Sequence, residues 1–282
     1  MADPWISLRS YYPPDDKSKF YSHLTSFGEE VHCWKAHHRE TLETHMIKAI
    51  RQSQIAQIDE EREKFYKIKM VVKGNDNLMQ LFELICPEGG DWLFYVMEYC
   101  EGGDLGYHLK QRNGKGLPED KCLHIMSNIF KGLLWLHNKD AVHLDLKPPN
   151  IFLLKDGTTK IGDYGELKLN YLITTITTIG TPPYWAPEMV SSKKEDKKKR
   201  GPKSDIYSAG VILCQLFTGD PTICVRGIGN RKCPSNIPSK YWKAVLRATE
   251  RDPEERFDSI TDFAKELGLG GYDDKSNKHY QS

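Results

Sequence analysis

Apolar residues recur along the chain with two spacings, and the prevailing spacing changes at about residue 100. Before that point, VHCWKAHHRE, THMIKAI, DNLMQLFEL and DWLFYVMEYCEGGDL contain short strand-like runs. One acidic stretch, IAQIDEEREKFYKIK, has helical spacing instead. After that point, helices are predicted in DKCLHIMSNIFKGLLWLHNKD, VILCQLF, YWKAVLRATE and FDSITDFAKEL. VILCQLF is apolar all round, which indicates a buried helix.

A short polar segment, HLDLKPPNIFLLKDGTTKIGDYGELK at residues 143–168, separates two of these predicted helices. It contains an acid (Asp145), a cation (Lys147), an amide (Asn150) and a second acid (Asp163). Phosphoryl transfer depends on positioning the nucleophile and neutralising phosphate charge, so this set suits that reaction. The intervening Asp-Gly pair predicts a hairpin that returns Asp163 to the side of Asn150. Their oxygens are ligands that Mg²⁺ prefers.

Length, charge and cysteine content exclude several classes of protein but do not indicate a substrate. A chain of 282 residues can form one large core or two lobes. Forty basic and 39 acidic residues give no bulk charge that would favour nucleic acid or an anionic membrane. The seven cysteines are scattered and lack C-x-x-C spacing, so they indicate neither a disulfide framework nor a zinc site. This pattern is typical of a protein in a reducing compartment. Since no apolar run reaches signal-peptide or membrane-spanning length, we expect a cytoplasmic protein.

A basic run, SSKKEDKKKRGPK, follows Glu188. A charge block of this kind is typically a solvated loop. Nuclear targeting or docking of an acidic partner is the alternative interpretation.

HLDLKPPN and DYG resemble the catalytic loop HRDLKxxN and the metal-binding DFG of eukaryotic protein kinases. GTPPYWAPE, SDIYSAG and RDPEERF extend the resemblance over nearly the whole chain. It implies an α+β fold of two lobes, with an arm (1–19), a β-rich N-lobe with one helix (20–100), a mainly helical C-lobe (101–267) and a tail (268–282). It also implies that Arg256 pairs with Glu188. The implied function is transfer of the γ-phosphate of Mg-ATP to a Ser/Thr hydroxyl of a protein substrate.

The resemblance assigns a role to each matched position. Asp145, Lys147 and Thr181 are catalytic, and Lys147 and Thr181 match Ser/Thr-specific members of the family. Asn150 and Asp163 hold Mg²⁺. Nucleotide-binding positions are Gly28, Cys33, Lys48, Met97, Glu98, Cys100, Asp104 and Phe152.

A glutamate of the acidic helical stretch is expected to pair with Lys48. Glu63 lies nearest the usual interval, with Tyr66 and Met70 to anchor it inward. Glu61 competes, because Phe65 and Ile68 give it a helical face of equal merit. We predict Glu63.

Three departures from the family pattern carry information. Only Gly28 remains of three phosphate-loop glycines, and Met46 replaces the small residue that touches adenine. These two changes favour the alternative function, a pseudokinase scaffold that binds protein partners. Leu144 replaces the arginine that meets an activation-loop phosphate. We therefore hypothesise that activity does not require phosphorylation of the cluster Thr174, Thr175, Thr177 and Thr178.

Overall fold

The computed structural model describes residues 21–26, 33–38, 41–87, 90–170, 182–191, 193–220, 222, 228, 230 and 232–271. These residues divide into two compact units. The first unit runs to Gly74 and resumes at Met79–Cys100. The second contains Asn75–Leu78 and the described residues from Glu101 onward. The chain therefore leaves the first unit for a short segment and then returns to it.

Among the described residues, the first unit is built on one antiparallel sheet of five strands, in the order β1-β2-β3-β5-β4. The strands are β1 (Tyr21–Ser26), β2 (Cys33–His38), β3 (Thr44–Arg51), β4 (Leu81–Ile85) and β5 (Trp92–Glu98). Side chains alternate along β3, so His45, Ile47 and Ala49 are buried while Met46 and Lys48 lie on the opposite face. The buried face belongs to a core with Trp34, Phe94 and Val96. The strands predicted in VHCWKAHHRE, THMIKAI and DWLFYVMEYCEGGDL are confirmed.

Helix α1 (Ile58–Val72) is the predicted acidic helix. Its first turn contains three acids, which favour the positive end of the helix dipole. It buries Phe65, Ile68 and Val72, whereas Tyr66 and Met70 are 50% and 66% exposed. The expectation that Tyr66 and Met70 face inward is therefore wrong.

The second unit is mainly helical. Its helices are α2 (Leu105–Gln111), α3 (Glu119–His137), α4 (Pro187–Val190), α5 (Lys194–Lys197), α6 (Pro202–Thr218), α7 (Ser239–Ala248) and α8 (Ile260–Glu266). Helix α6 has proline at its first position. Gly219 caps its C-terminal end in the left-handed conformation, with a φ of 75°. Every residue from Val211 to Thr218 is buried, so the prediction from VILCQLF is confirmed.

Two short antiparallel ribbons complete the second unit. They pair β6 (Ala141–Val142) with β9 (Lys168–Leu169), and β7 (Ile151–Leu153) with β8 (Thr159–Ile161). In the part of the chain that the structure describes, no helix combines the length and apolar character needed to span a bilayer.

The segment Asn75–Leu78 corrects the prediction of one strand over DNLMQLFEL. Strand β4 begins only at Leu81, and the preceding residues belong to the second unit. The Asn77 amide donates to Asn128 Oδ1 at 2.9 Å and to the Thr159 carbonyl at 3.0 Å. The Asn77 carbonyl also accepts from the Ile161 N–H at 2.9 Å. These buried polar contacts attach the segment to the second unit, and apolar spacing alone does not show them.

Candidate active site

The β7–β8 hairpin brings the two predicted metal ligands together. Its turn holds Gly157 at a φ of 89°, and Asp156 Oδ1 accepts from the Thr158 N–H at 2.8 Å. The Gly162 N–H donates to the Asn150 carbonyl at 2.9 Å, so Asp163 follows directly on a residue bonded to Asn150. The predicted Asp-Gly hairpin and its consequence for Asn150 and Asp163 are confirmed.

Two donors fix the Asp145 carboxylate. Lys147 Nζ lies 3.1 Å from Oδ1 and 2.8 Å from Oδ2. Asn150 Nδ2 donates to Oδ2 at 2.9 Å and to the Asp145 carbonyl at 2.8 Å. Asp145 and Lys147 side chains are 14% and 17% exposed, which leaves each a solvent-facing part. The site therefore presents an oriented carboxylate beside a cation, with a buried amide behind them.

His143 ties this loop to the segment that carries Asp163. Its Nδ1 accepts from the Asp145 N–H at 3.3 Å, and its Nε2 lies 3.0 Å from the Gly162 carbonyl. A nitrogen that accepts a backbone N–H carries no proton, so the proton is on Nε2, which donates to the carbonyl. The Tyr164 ring lies 5.9 Å from the His143 ring, and its hydroxyl donates to the Ile161 carbonyl at 2.8 Å. The partner that the Tyr164 hydroxyl needs is thus present.

Asp205, at the start of α6, binds the backbone of the loop that contains His143 and Asp145. It accepts the backbone N–H groups of His143 at 2.9 Å and Leu144 at 2.8 Å, and it lies 2.9 Å from His137 Nε2. Burial would raise the pKa of Asp205, but the hydrogen bonds from His137 and from the His143 N–H bring the pKa below its ordinary value. Local sequence patterns do not predict these contacts of Asp205, because its partners lie more than sixty positions away.

Leu144 takes a left-handed backbone conformation with a φ of 63° and is 4% exposed. A leucine in this conformation costs about 1–2 kcal/mol. Its N–H bond to Asp205 and its apolar packing offset that cost. The side chain lies in a buried cluster with Val142, Ala186 and Met189. An apolar contact therefore joins the catalytic loop to α4 where the family pattern has arginine.

The predicted pair of Glu188 and Arg256 is confirmed. Arg256 Nη1 and Nη2 donate to Glu188 Oε1 and Oε2, each at 2.8 Å. Ser204 Oγ also donates to Glu188 Oε1, at 2.7 Å. Both side chains are almost fully buried, and the remaining guanidinium protons find carbonyls of Lys203 and Glu250. This satisfied network fixes α4, and with it the residues that lead into α4, against the helical core.

The comparisons with known proteins agree with this geometry. The protein kinase domain family model matches residues 26–267. The chain belongs to the protein kinase family. It is 41% identical over 149 residues to the serine/threonine-protein kinase ATG1a of Arabidopsis thaliana. The aligned segment covers 51% of this chain and 22% of that protein. It is 31% identical over 206 residues to serine/threonine-protein kinase atg1 of Dictyostelium discoideum, and that segment covers 68% of this chain and 30% of that protein.

A third relative of this kinase domain covers almost all of the chain. Sporulation-specific protein 1 of Saccharomyces cerevisiae is 30% identical over 276 residues, which is 96% of this chain and 51% of that protein. The chain thus spans from about a fifth to about half of the length of these three relatives. The α+β two-lobed kinase fold is the family's fold, and it is the fold predicted.

Lys48 and Met46 of the kinase domain share one face of β3. Directly opposite on β5 stand Tyr95, across from Lys48, and Met97, across from Met46. Opposed residues of antiparallel strands lie on the same face with their side chains close together. Two methionines therefore stand opposite each other where the family pattern has one large and one small residue. Cys33 stands opposite Lys48 on the other neighbouring strand.

Glu61, not Glu63, lies toward the face that carries Lys48. Glu61 Oε1 accepts from the Tyr95 hydroxyl at 2.6 Å. Glu63 is 66% exposed and pairs with Lys67 at 2.6 Å, four residues along the same helix. The hydrogen bond from Lys67 and the lysine's charge lower the pKa of Glu63. The choice of Glu63 is corrected because the burial of Phe65 and Ile68, the alternative face, decides the rotation of α1.

The remaining predicted nucleotide positions fall on both units. Cys100 is 2% exposed, and buried thiols of this kind are typically unreactive. Glu98 Oε2 accepts from the Gln80 N–H at 3.1 Å. Asp104 caps α2, with Oδ1 accepting from the Tyr107 N–H at 2.8 Å, and it forms a β-bridge with Phe152. Gly28 and Thr181, together with the four threonines from Thr174 to Thr178, lie outside the described residues.

The predicted metal ligands fit Mg²⁺ by their chemistry. Asn150 and Asp163 offer amide and carboxylate oxygens, and Mg²⁺ in kinase sites is shared with substrate phosphates. Within the described ranges, no three His, Cys, Asp or Glu side chains converge on a metal position. A magnesium ion held by one carboxylate, one amide and phosphate oxygens does not need such a group.

Proposed function

We propose that this kinase domain is a serine/threonine-protein kinase that transfers the γ-phosphate of ATP to a protein hydroxyl. The observation that carries the proposal is the Asp145 carboxylate, fixed by Lys147 at 2.8 Å and by Asn150 at 2.9 Å. A positioned acceptor beside a cation is the arrangement that phosphoryl transfer requires. Lys147, at the second position after the acid, supports a Ser/Thr acceptor.

In this mechanism Asp145 accepts the hydrogen bond of the substrate hydroxyl and orients its oxygen toward the phosphate. Lys147 balances the charge that develops on the transferred group. Asn150 and Asp163 would hold Mg²⁺, which neutralises phosphate charge when bound. Lys48 binds the nucleotide phosphates, and Glu61 holds Lys48 in position. His143 and Asp205 position the loop and touch no reacting atom.

The test is transfer of labelled phosphate from Mg-ATP to a generic basic protein by the purified chain. Asp145→Asn and Asp163→Asn should each lower the rate by about a thousandfold, because each removes a charge that acts in the transition state. Asp140→Asn is the matched control, since Asp140 occupies an exposed turn with a φ of 53° that asparagine tolerates. No transfer by the parent, together with no thermal stabilisation by ATP, would leave the pseudokinase scaffold as the better interpretation.

We also propose that this kinase acts without phosphorylation of the activation segment. Leu144 cannot bind a phosphate, and its contact with Ala186 and Met189 provides a link that requires none. Replacing Thr174, Thr175, Thr177 and Thr178 together by alanine should leave the rate near that of the parent. A loss of tenfold or more in this variant would contradict the proposal.

A further inference from the structure

A groove of about 700 Å³ lies on the second unit, along the C-terminal end of α4. Its apolar part is formed by Trp185, Pro187 and Val190, and the Val190 side chain is 57% exposed. Its polar rim contains lysines of the basic run and Arg251. None of its lining residues belongs to the set that we assign to phosphoryl transfer.

The basic run forms one wall of this groove. Arg200 Nε donates to the Glu188 carbonyl and Arg200 Nη2 to the Met189 carbonyl, both at 3.0 Å, so the guanidinium caps α4. Ser191 Oγ donates to Asp196 at the start of the run. Arg200 thus attaches the end of the run to α4, whereas Lys193, Glu195, Lys198 and Lys199 are exposed, in agreement with the interpretation of a solvated segment. The charged residues that this run contributes to the groove are two lysines, Lys193 and Lys199, and one acid, Asp196.

The acids that line the groove already have partners within the second unit. Glu188 is bound by Arg256, and Asp252 lies 3.0 Å from Lys199 Nζ. Asp196, the third lining acid, accepts from the Ser191 hydroxyl. Lys193 and Arg251 are exposed, and among the described residues neither forms a salt bridge. The groove therefore combines an apolar surface with two cations available to an outside carboxylate.

The groove shares Trp185 with the apolar surroundings of the catalytic loop. Trp185 packs against the cluster that contains Leu144, and Leu144 precedes Asp145. A chain segment bound along Trp185 and Val190 thus contacts a side chain that packs on the apolar cluster next to the proposed base.

We propose that this groove binds an acidic segment of the protein substrate. An apolar side chain of that segment lies on Trp185 and Val190, and carboxylates next to it pair with Lys193 and Arg251. The proposal rests on the kinase function proposed above, because it takes the occupant from the substrate. It adds a recognition element for acidic substrates that is separate from the phosphoryl-transfer residues.

The first test measures binding and needs no catalysis. A fluorescent peptide with one leucine between runs of aspartate and glutamate is titrated against the chain, beside the same peptide with lysines in place of the acids. The double variant Lys193→Ala/Arg251→Ala should bind the acidic peptide about fivefold more weakly, and added salt should reduce the difference. The control double variant Lys131→Ala/Lys243→Ala removes two exposed charges from the same unit and should bind like the parent. Equal binding of both peptides, or equal binding by both double variants, overturns the proposal.

The second test asks whether the occupant is a substrate. A serine peptide is assayed with and without the acidic segment at its C-terminal side. Lys193→Ala/Arg251→Ala should raise KM about fivefold for the extended peptide, with kcat and the short peptide unchanged. Weaker binding without a KM change would assign the groove to a regulator and contradict the substrate proposal. If the parent transfers phosphate to neither peptide, the kinase function fails, and the binding test alone decides whether the groove holds acidic chains.

Discussion

The loop that holds Asp145 and the strand that holds Lys48 differ in how firmly their neighbours determine them. Around Asp145, each polar side chain described above has a hydrogen-bond partner, and Asp205 accepts two backbone N–H groups. On β3, Lys48 shares its face with Met46, which stands opposite a second methionine. The described residues around Asp145 thus form a connected hydrogen-bond network, whereas β3 of the first unit has methionine where the family pattern has a small residue.

This difference shows that chemistry and nucleotide affinity can change separately in one chain. A buried polar network loses much of its stability when one member is replaced, because the others are left without partners. A nucleotide surface made largely of backbone and apolar contacts tolerates a change of volume at a smaller cost. We therefore expect activity in this kinase domain to be limited by ATP binding more than by phosphoryl transfer.

The largest effect is expected where the second unit is most firmly determined. Glu188→Gln leaves Arg256, which is fully buried, without its counter-charge. Since an unpaired buried charge is costly, the free energy of unfolding should fall by about 3 kcal/mol or more. Urea unfolding followed by circular dichroism measures the change.

Glu254→Gln provides the matched control for this variant. Glu254 pairs with Lys203 at 3.3 Å, but its side chain is 72% exposed. Water screens such a pair, so the control should unfold close to the parent. Equal unfolding curves for the two variants would show that the buried network is not what secures α4.

The next effect concerns the first unit and the partner of Lys48. Glu61→Gln keeps an acceptor for the Tyr95 hydroxyl but removes the negative charge, so kcat/KM should fall about tenfold or more. Glu63→Gln changes a solvent-exposed residue of the same helix and should leave kcat/KM unchanged. Steady-state kinetics with ATP as the varied substrate distinguish them. The reverse result would require α1 to turn its other face toward β3.

Sequence patterns predicted what depends on local spacing and missed what depends on distant partners. The β3 strand, the Asp-Gly hairpin and the buried helix α6 each follow from a repeat of a few residues. The rotation of α1 does not, because Glu61 and Glu63 both lie on faces with suitable apolar neighbours and only packing against β4 and β5 decides between them. The run of lysines and arginines likewise does not predict that Arg200 caps α4, because its neighbours in the sequence have the same charge.

The smallest effect tests the nucleotide surface itself. Met46→Ala restores the small residue of the family pattern opposite Met97. If Met46 occupies space that the adenine ring requires, removing its side chain should lower KM for ATP about threefold, with kcat little changed. Met70→Ala makes the same substitution at a site that is 66% exposed on α1, and KM should stay constant. A KM that rises in Met46→Ala would show that the methionine supports the nucleotide, and the weakness of the first unit would then lie in the segment around Gly28.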